Sequence, residues 1–290
     1  MSINRYFSLI KFSHTIFVLP FALIGFFLGT TQIGQNVSWK LFGLMLLCMV
    51  FARSAAMAFN RYIDRDIDEK NPRTATREIP AGKISPNSAL IFVIANCIGF
   101  VLATWFINPL CFYLSPIALF VILFYSYTKR FTWACHFVLG IGLALAPIGA
   151  YLAAGGSFDL IPLLYSGAVL CWVSGFDIIY ALQDEEFDKS LSLQSVPVRL
   201  GTAGALNLSI VLHVLCAIFI VSAALLANNQ FTDFGWLLWL GTLIFVGLLG
   251  YQHTVVKASD LSRVNLAFFT TNGMASVLLS VFFLVDLLLI

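Results

Sequence analysis

Two nine-residue segments place oxygen-bearing side chains at four-residue intervals. In NRYIDRDID, residues 60–68, they are Asn60, Asp64 and Asp68; in YALQDEEFD, residues 180–188, they are Tyr180, Asp184 and Asp188. On a helix such side chains stack along one face and point the same way. A column of oxygens suits a hard cation, and Mg2+ is held by one or two carboxylates together with substrate phosphates and waters. One column alone could equally be a solvated helix end whose Asp66, Glu69 and Lys70 face water. The second column, each member 120 residues after its counterpart, tips the balance. Two such columns can converge on one site, and carboxylates gathered there are costly unless cations sit between them. The expected metal ligands are Asn60, Asp64, Asp68, Asp184 and Asp188, and the expected cofactor is Mg2+.

Cations surround these columns. Arg53 lies seven residues before Asn60, Arg73 and Arg77 follow the first column, Lys129 and Arg130 stand in SYTKR, and Lys189 and Arg199 follow the second. Guanidinium forks bind phosphate oxygens and a metal neutralises the remaining charge, so cations plus Mg2+ describe a diphosphate clamp. Arg53, Arg73, Arg77, Lys129, Arg130 and Lys189 are its expected members. With apolar helices behind it, the clamp fits a ligand with a diphosphate head and a long hydrocarbon tail, as in an isoprenyl diphosphate.

The elements that must position these residues belong to a lipid solvent. The chain is 60% hydrophobic and only 10% charged, yet ten of its charged side chains crowd into residues 60–80. A soluble globule is about a quarter charged. Spanning a bilayer takes about 20 apolar residues per helix, and nine windows qualify, near 14–31, 40–59, 88–107, 109–127, 132–153, 161–183, 204–227, 234–251 and 265–289. Barrel strands alternate apolar with polar residues, and these runs are apolar throughout. The expected fold is all-α, a polytopic membrane protein with nine transmembrane helices in one bundle and a single domain, 1–290. With nine spans, every cation except Lys40 lies on or near the N-terminal side, which the positive-inside rule makes cytoplasmic. The site is therefore expected at the cytoplasmic face of the membrane. The basic loops are a topology signature rather than a nucleic-acid groove. The first apolar run lacks a small-residue cleavage pattern and reads as a retained helix. The 120-residue offset hints at an internal duplication.

Single residues complete the picture. Cys48, Cys97, Cys111, Cys135, Cys171 and Cys216 are scattered without CxxC spacing, so no disulfide or metal framework is expected. Asp177 lies about two turns inside a span, and intramembrane carboxylates mark function; it is expected to accept a proton or to hold a basic residue. His14 could meet a second substrate or be merely interfacial, and Asp286 reads as an exposed terminal residue.

The residues carry a resemblance. NRYIDRDID resembles the first Asn/Asp-rich motif of the UbiA superfamily of intramembrane prenyltransferases, and YALQDEEFD the second, while RTATREIPAG and SYTKR are similar to the loops that accompany them. Arg61 departs from the Asn-Asp opening of many relatives. KFSHTIFVLPFAL and ARSAAMAFNRYIDRDID are most similar to the bacterial members that act on 4-hydroxybenzoate. The resemblance implies a nine-helix fold, Mg2+, a polyprenyl diphosphate donor and an aromatic hydroxy acid acceptor in quinone biosynthesis. 1,4-Dihydroxy-6-naphthoate, in menaquinone biosynthesis, is the alternative acceptor. The implied chemistry is electrophilic aromatic substitution: metal and cations stabilise the leaving diphosphate. Aromatic faces such as Tyr125, Tyr127 and Tyr180 shield the allylic cation, and the ring carbon beside the hydroxyl attacks. Asp177, Tyr180 and Arg130 are the expected catalytic residues; Arg53, Lys11 and His14 are expected on the acceptor. A cation transporter is the alternative of a different class, but such sites sit near the bilayer midplane, whereas these columns cluster at one boundary.

Overall fold

The computed structural model describes residues 3–10, 17–34, 36–231, 234–258 and 260–289. Among them the fold is all-α, with no sheet beyond an isolated bridge between Lys257 and Asp260. Eight helical segments are long and apolar enough to cross a membrane. The window at 14–31 corresponds to α2, Leu19–Gln32, which has 14 residues, and the residues just before position 17 lie outside the described set.

The chain divides into two compact units. The first comprises α1 (Ile3–Leu9) and, from the stretch 38–128, α3 (Trp39–Ile63), α4 (Arg65–Lys70), α5 (Pro86–Trp105) and α6 (Pro109–Thr128). The spans form because long apolar runs have no other way to satisfy their backbone in lipid, and their starts are set locally. Ser38 Oγ accepts from Leu41 N at 3.4 Å and Ser85 Oγ from Ser88 N at 3.1 Å, with Pro86 in the first turn where its missing N–H costs nothing. Leu9 of α1 packs with Ala58, Ile79, Ile84, Ala89 and Val93, so the loop after the first acidic column is built into a core. Ser8 donates to Glu78 in the same loop.

The second unit comprises α2, α7 (Cys135–Ala153), α8 (Leu160–Ala181), α9 (Glu185–Ser190), α10 (Val196–Gln230), α11 (Trp236–Val255) and α12 (Asn272–Leu289). A 3-10 turn, Leu182–Asp184, joins α8 to α9, and a π-helical segment, Leu266–Thr271, leads into α12. The window at 204–227 falls inside α10, whose first turn is set off by a kink at Gly201, φ 69°. At Gly25 of α2 a Cβ would run into the backbone carbonyl of Pro147 in α7, so glycine there lets the two helices touch backbone to backbone.

Asp286 corrects the reading of it as an exposed terminal residue. It is fully buried, and its Oδ2 accepts from Gly235 N at 2.9 Å and Leu238 N at 2.8 Å. A carboxylate on α12 thus caps the start of α11, where unpaired N–H groups and the helix dipole favour negative charge.

Candidate active site

Neither acidic column lies on one unbroken helix. α3 ends at Ile63, Asp64 takes φ −89° and ψ 7°, and α4 restarts at Arg65. The four-residue register survives the hitch, because Asp64 N still bonds Asn60 O at 2.9 Å and Asp68 N bonds Asp64 O at 2.7 Å. The second column has the same form: α8 ends at Ala181, a 3-10 turn carries Asp184, and α9 carries Asp188. The short helices 65–70 and 185–190 stand 120 residues apart, so the offset seen in the motifs extends to the breaks beside them.

In the first unit, Asn60 Nδ2 donates to Asp64 Oδ2 at 2.9 Å. Asp68 is buried; its Oδ1 accepts from an Arg77 terminal nitrogen at 2.5 Å, and an Arg61 nitrogen stands 3.9 Å from Oδ2. Thr74 Oγ1 donates to Asp68 O at 3.1 Å, tying the loop that carries Arg77 to the column. Arg73, in the same loop, is exposed, and its backbone N–H donates to Asn71 Oδ1 at 2.9 Å. Arg53 lies two turns before Asn60 on α3, with Tyr125 of α6 near enough to feel its charge. Among the described residues the Nε of Arg53, the Nε of Arg61 and Oδ2 of Asp68 are buried without a hydrogen-bond partner. Tyr127 packs edge-on against Phe59 with ring centroids 5.8 Å apart.

In the second unit, Asp188 is fully buried, with Lys129 Nζ 2.8 Å from its Oδ1. This is an ion pair outside hydrogen-bond geometry, since among the described residues neither Asp188 oxygen accepts a well-angled bond. Burial pushes the Lys129 ammonium down, but the Asp188 carboxylate outweighs it and holds the group above its ordinary range. Asp184 is buried and Arg130 exposed. Lys189 is committed to Glu185 Oε1 at 2.6 Å, and Thr202 donates to the other oxygen at 2.8 Å, which turns that lysine to the surface. Arg199 is exposed. Tyr180 lies against Phe268 of the π-helical segment, ring centroids 4.2 Å apart. Behind it Phe176 and Trp172, each one turn further back on α8, continue an aromatic row that Phe17 and Phe21 join. Asp177 Oδ2 stands 2.7 Å from His136 Nδ1 of α7. Lys11 and His14 lie outside the described residues.

Arg61, which the sequence marked only as a departure from the family motif, is buried against Asp68. One further side chain in these sites was not singled out at all. His136 carries no motif at all; a lone histidine at the start of a span gave no signal.

Among the described residues no three His, Cys, Asp or Glu side chains gather tightly enough to hold a metal ion by themselves. The acidic columns do offer hard oxygen donors that hydrogen bonding leaves unused, on Asp68 and Asp188. Buried, anionic and backed by cations, they suit an ion that keeps waters and phosphate oxygens in its own shell. The residues present therefore fit Mg2+ shared with a phosphorylated ligand.

Among the described residues, eight helices long and apolar enough to cross a membrane, with two acidic motifs beside cationic side chains, define a multi-pass helical membrane protein. The chain belongs to the UbiA prenyltransferase family, whose model matches residues 18–274, and it is a prenyltransferase. It is similar to the 4-hydroxybenzoate octaprenyltransferase of Shewanella halifaxensis (strain HAW-EB4), 27% identical over 82% of this chain and 81% of that one. It is likewise similar to the enzyme of the same name from Aliivibrio fischeri (strain MJ11), 29% identical over 81% and 79%. Among solved structures, the apo form of a UbiA homolog from Aeropyrum pernix K1 superposes with a TM-score of 0.83 at 31% identity, covering 95% of this chain and 98% of that one. A UbiA homolog from Archaeoglobus fulgidus bound to GPP and Mg2+ shares the fold, with a TM-score of 0.71 at 21% identity over 98% and 99%. Family membership sets aside the reading of the acidic motifs as an ion path.

Proposed function

We propose that the protein transfers a polyprenyl group from a polyprenyl diphosphate to the ring carbon ortho to the hydroxyl of an aromatic acceptor of the 4-hydroxybenzoate type. The observation that carries this reading is the pair of acidic motifs, each ending in a buried carboxylate with a cation beside it, Asp68 with Arg77 and Asp188 with Lys129. With a divalent cation on the carboxylates, the basic partners are left to meet an anionic head group. The relatives named 4-hydroxybenzoate octaprenyltransferase support the acceptor class, and the GPP- and Mg2+-bound fold neighbour supports the donor class and the metal.

Asn60, Asp64 and Asp68 in the first motif, with Asp184 and Asp188 in the second, are the proposed metal ligands, Mg2+ supplying the charge neutralisation that makes diphosphate a leaving group. Arg53, Arg73, Arg77, Lys129 and Arg130 take up charge on the departing oxygens, whereas Lys189, held by Glu185, is left out of the clamp. Tyr180, backed by Phe268, Phe176 and Trp172, lines the path of the allylic carbon and keeps water from it. Arg53, Lys11 and His14 are the proposed partners of the acceptor carboxylate. Asp177 serves proton transfer. The site opens to the cytoplasmic side of a bacterial plasma membrane, where the basic loops lie.

Purified protein in detergent, supplied with a polyprenyl diphosphate, Mg2+ and either 4-hydroxybenzoate or 1,4-dihydroxy-6-naphthoate, tests the reading by product analysis. A prenylated hydroxybenzoate with release of diphosphate is the expected result. Prenylation of the naphthoate alone moves the enzyme to the menaquinone branch, and no aromatic product with either overturns the reading.

A further inference from the structure

Asp177 lies on α8 one turn before Tyr180, the residue that opens the second motif. A quarter of its side chain is accessible, whereas its partner His136 is 4% exposed. The carboxylate therefore stands at the edge of open space with the imidazole behind it. The imidazole's own state follows from its partners. Val196 N, in the first turn of α10, donates to His136 Nε2 at 3.3 Å, so that nitrogen carries the lone pair and the ring proton sits on Nδ1, directed at Asp177 Oδ2 2.7 Å away. Ser174 Oγ donates to the His136 backbone oxygen at 3.2 Å, and Cys135 Sγ approaches Gln194 O at 3.6 Å, so the start of α7 is fixed from two sides.

The contact from the buried imidazole to Oδ2 fixes the direction in which Asp177 points, while about a quarter of the Asp177 side chain stays accessible. One turn on, Tyr180 lies against Phe268.

We propose that Asp177 receives the hydroxyl proton of the aromatic acceptor and that His136 is the positioning residue that aims it, an inference that rests on the aromatic-acceptor reading above. The acceptor's O–H proton moves to Asp177 Oδ1 as its ortho carbon bonds the prenyl C1 and the C1–O bond to diphosphate breaks, the electron pair leaving with diphosphate. The proton on the attacked ring carbon then passes to the departed diphosphate, and Asp177 returns its proton to the ring oxygen. The dyad thus selects acceptors that present a hydroxyl to it and disfavours those presenting an anion at the same point.

Three variants separate this role from a structural one, each assayed for kcat and for the KM of the prenyl diphosphate. His136→Asn keeps an N–H in the place of Nδ1, whereas His136→Gln keeps an acceptor in the place of Nε2 for Val196 but loses the donor to Asp177. Asp177→Asn and His136→Gln are expected to lose about 100-fold in kcat, the usual scale for a lost general base, with the donor KM unchanged. His136→Asn is expected to recover most of that loss. The unchanged donor KM shows that the variants are folded. Wild-type kcat in Asp177→Asn, or His136→Gln outperforming His136→Asn, overturns the proposal while leaving the aromatic prenyltransferase reading intact. An active donor site in a wild-type protein that prenylates no aromatic acceptor overturns both.

Discussion

The pairing of Asp188 with Lys129 is asymmetric, and the asymmetry decides what each substitution does. Asp188 is fully enclosed, but a third of the Lys129 side chain is accessible. Removing the lysine strands a buried anion, which is destabilising, whereas removing the carboxylate leaves an ammonium that can turn to water. Lys129→Met is therefore expected to melt at lower temperature in detergent than Asp188→Asn, and the double variant to regain stability over Lys129→Met without regaining turnover. Thermal unfolding beside product assays reads both. In the same assays Lys129→Met should lose on the order of 100-fold in kcat, with a smaller rise in KM, because its charge acts on the leaving group. Asp64→Ala and Asp184→Ala should lose turnover while remaining folded, since lost metal ligands cost chemistry more than packing. Four-residue spacing was enough to make the acidic columns legible. It could not say which cation meets which carboxylate: Arg77 and Lys129 were legible only as phosphate binders, and the structure sets them on Asp68 and Asp188, because loop geometry has no periodicity to read. His136 was illegible for a related reason, its partners lying 41 and 60 residues away.

At the scale of elements, apolar length alone placed most of the spans, and the details that escaped it are contacts between elements. No glycine or proline marks the breaks at Asp64 and Asp184; the turns are set where an apolar span meets a polar segment that packs differently. Asp286 was read as terminal because a cap is visible in sequence only when it precedes its own helix, and this one reaches α11 from α12. Asp286→Ala should cost about 1–2 kcal/mol, the loss of a capping side chain. Asp286→Asn, which keeps an oxygen for Gly235 and Leu238, should cost less. Neither should change kcat below the melting range, and a turnover defect in a fully folded Asp286→Asn would refute the purely structural role. Gly25→Ala should separate α2 from α7 and cost about 1–3 kcal/mol, the usual penalty for forcing extra volume into a packed contact, measurable as a lowered melting temperature.

For the whole molecule, the balance of charge and oil gave the solvent, and the solvent gave the fold class. Chelation should abolish turnover and added Mg2+ restore it with the protein folded throughout, whereas activity surviving exhaustive chelation would remove the metal from the mechanism. Orientation is tested by single cysteines in a variant lacking the native six: Lys70→Cys should react with a membrane-impermeant reagent only after the membrane is opened, and Phe158→Cys from outside in sealed cells. The ion pairs also set a timetable. A chain grows from its N-terminus, and Asp68 meets Arg77 only nine residues later, while Lys129 has been made 59 residues before Asp188 emerges. Asp68 and Asp188 thus each find a counter-charge within the nascent chain almost as soon as they leave the ribosome, so both can enter the bilayer already paired, and the proposed metal would follow with the substrate that shares it.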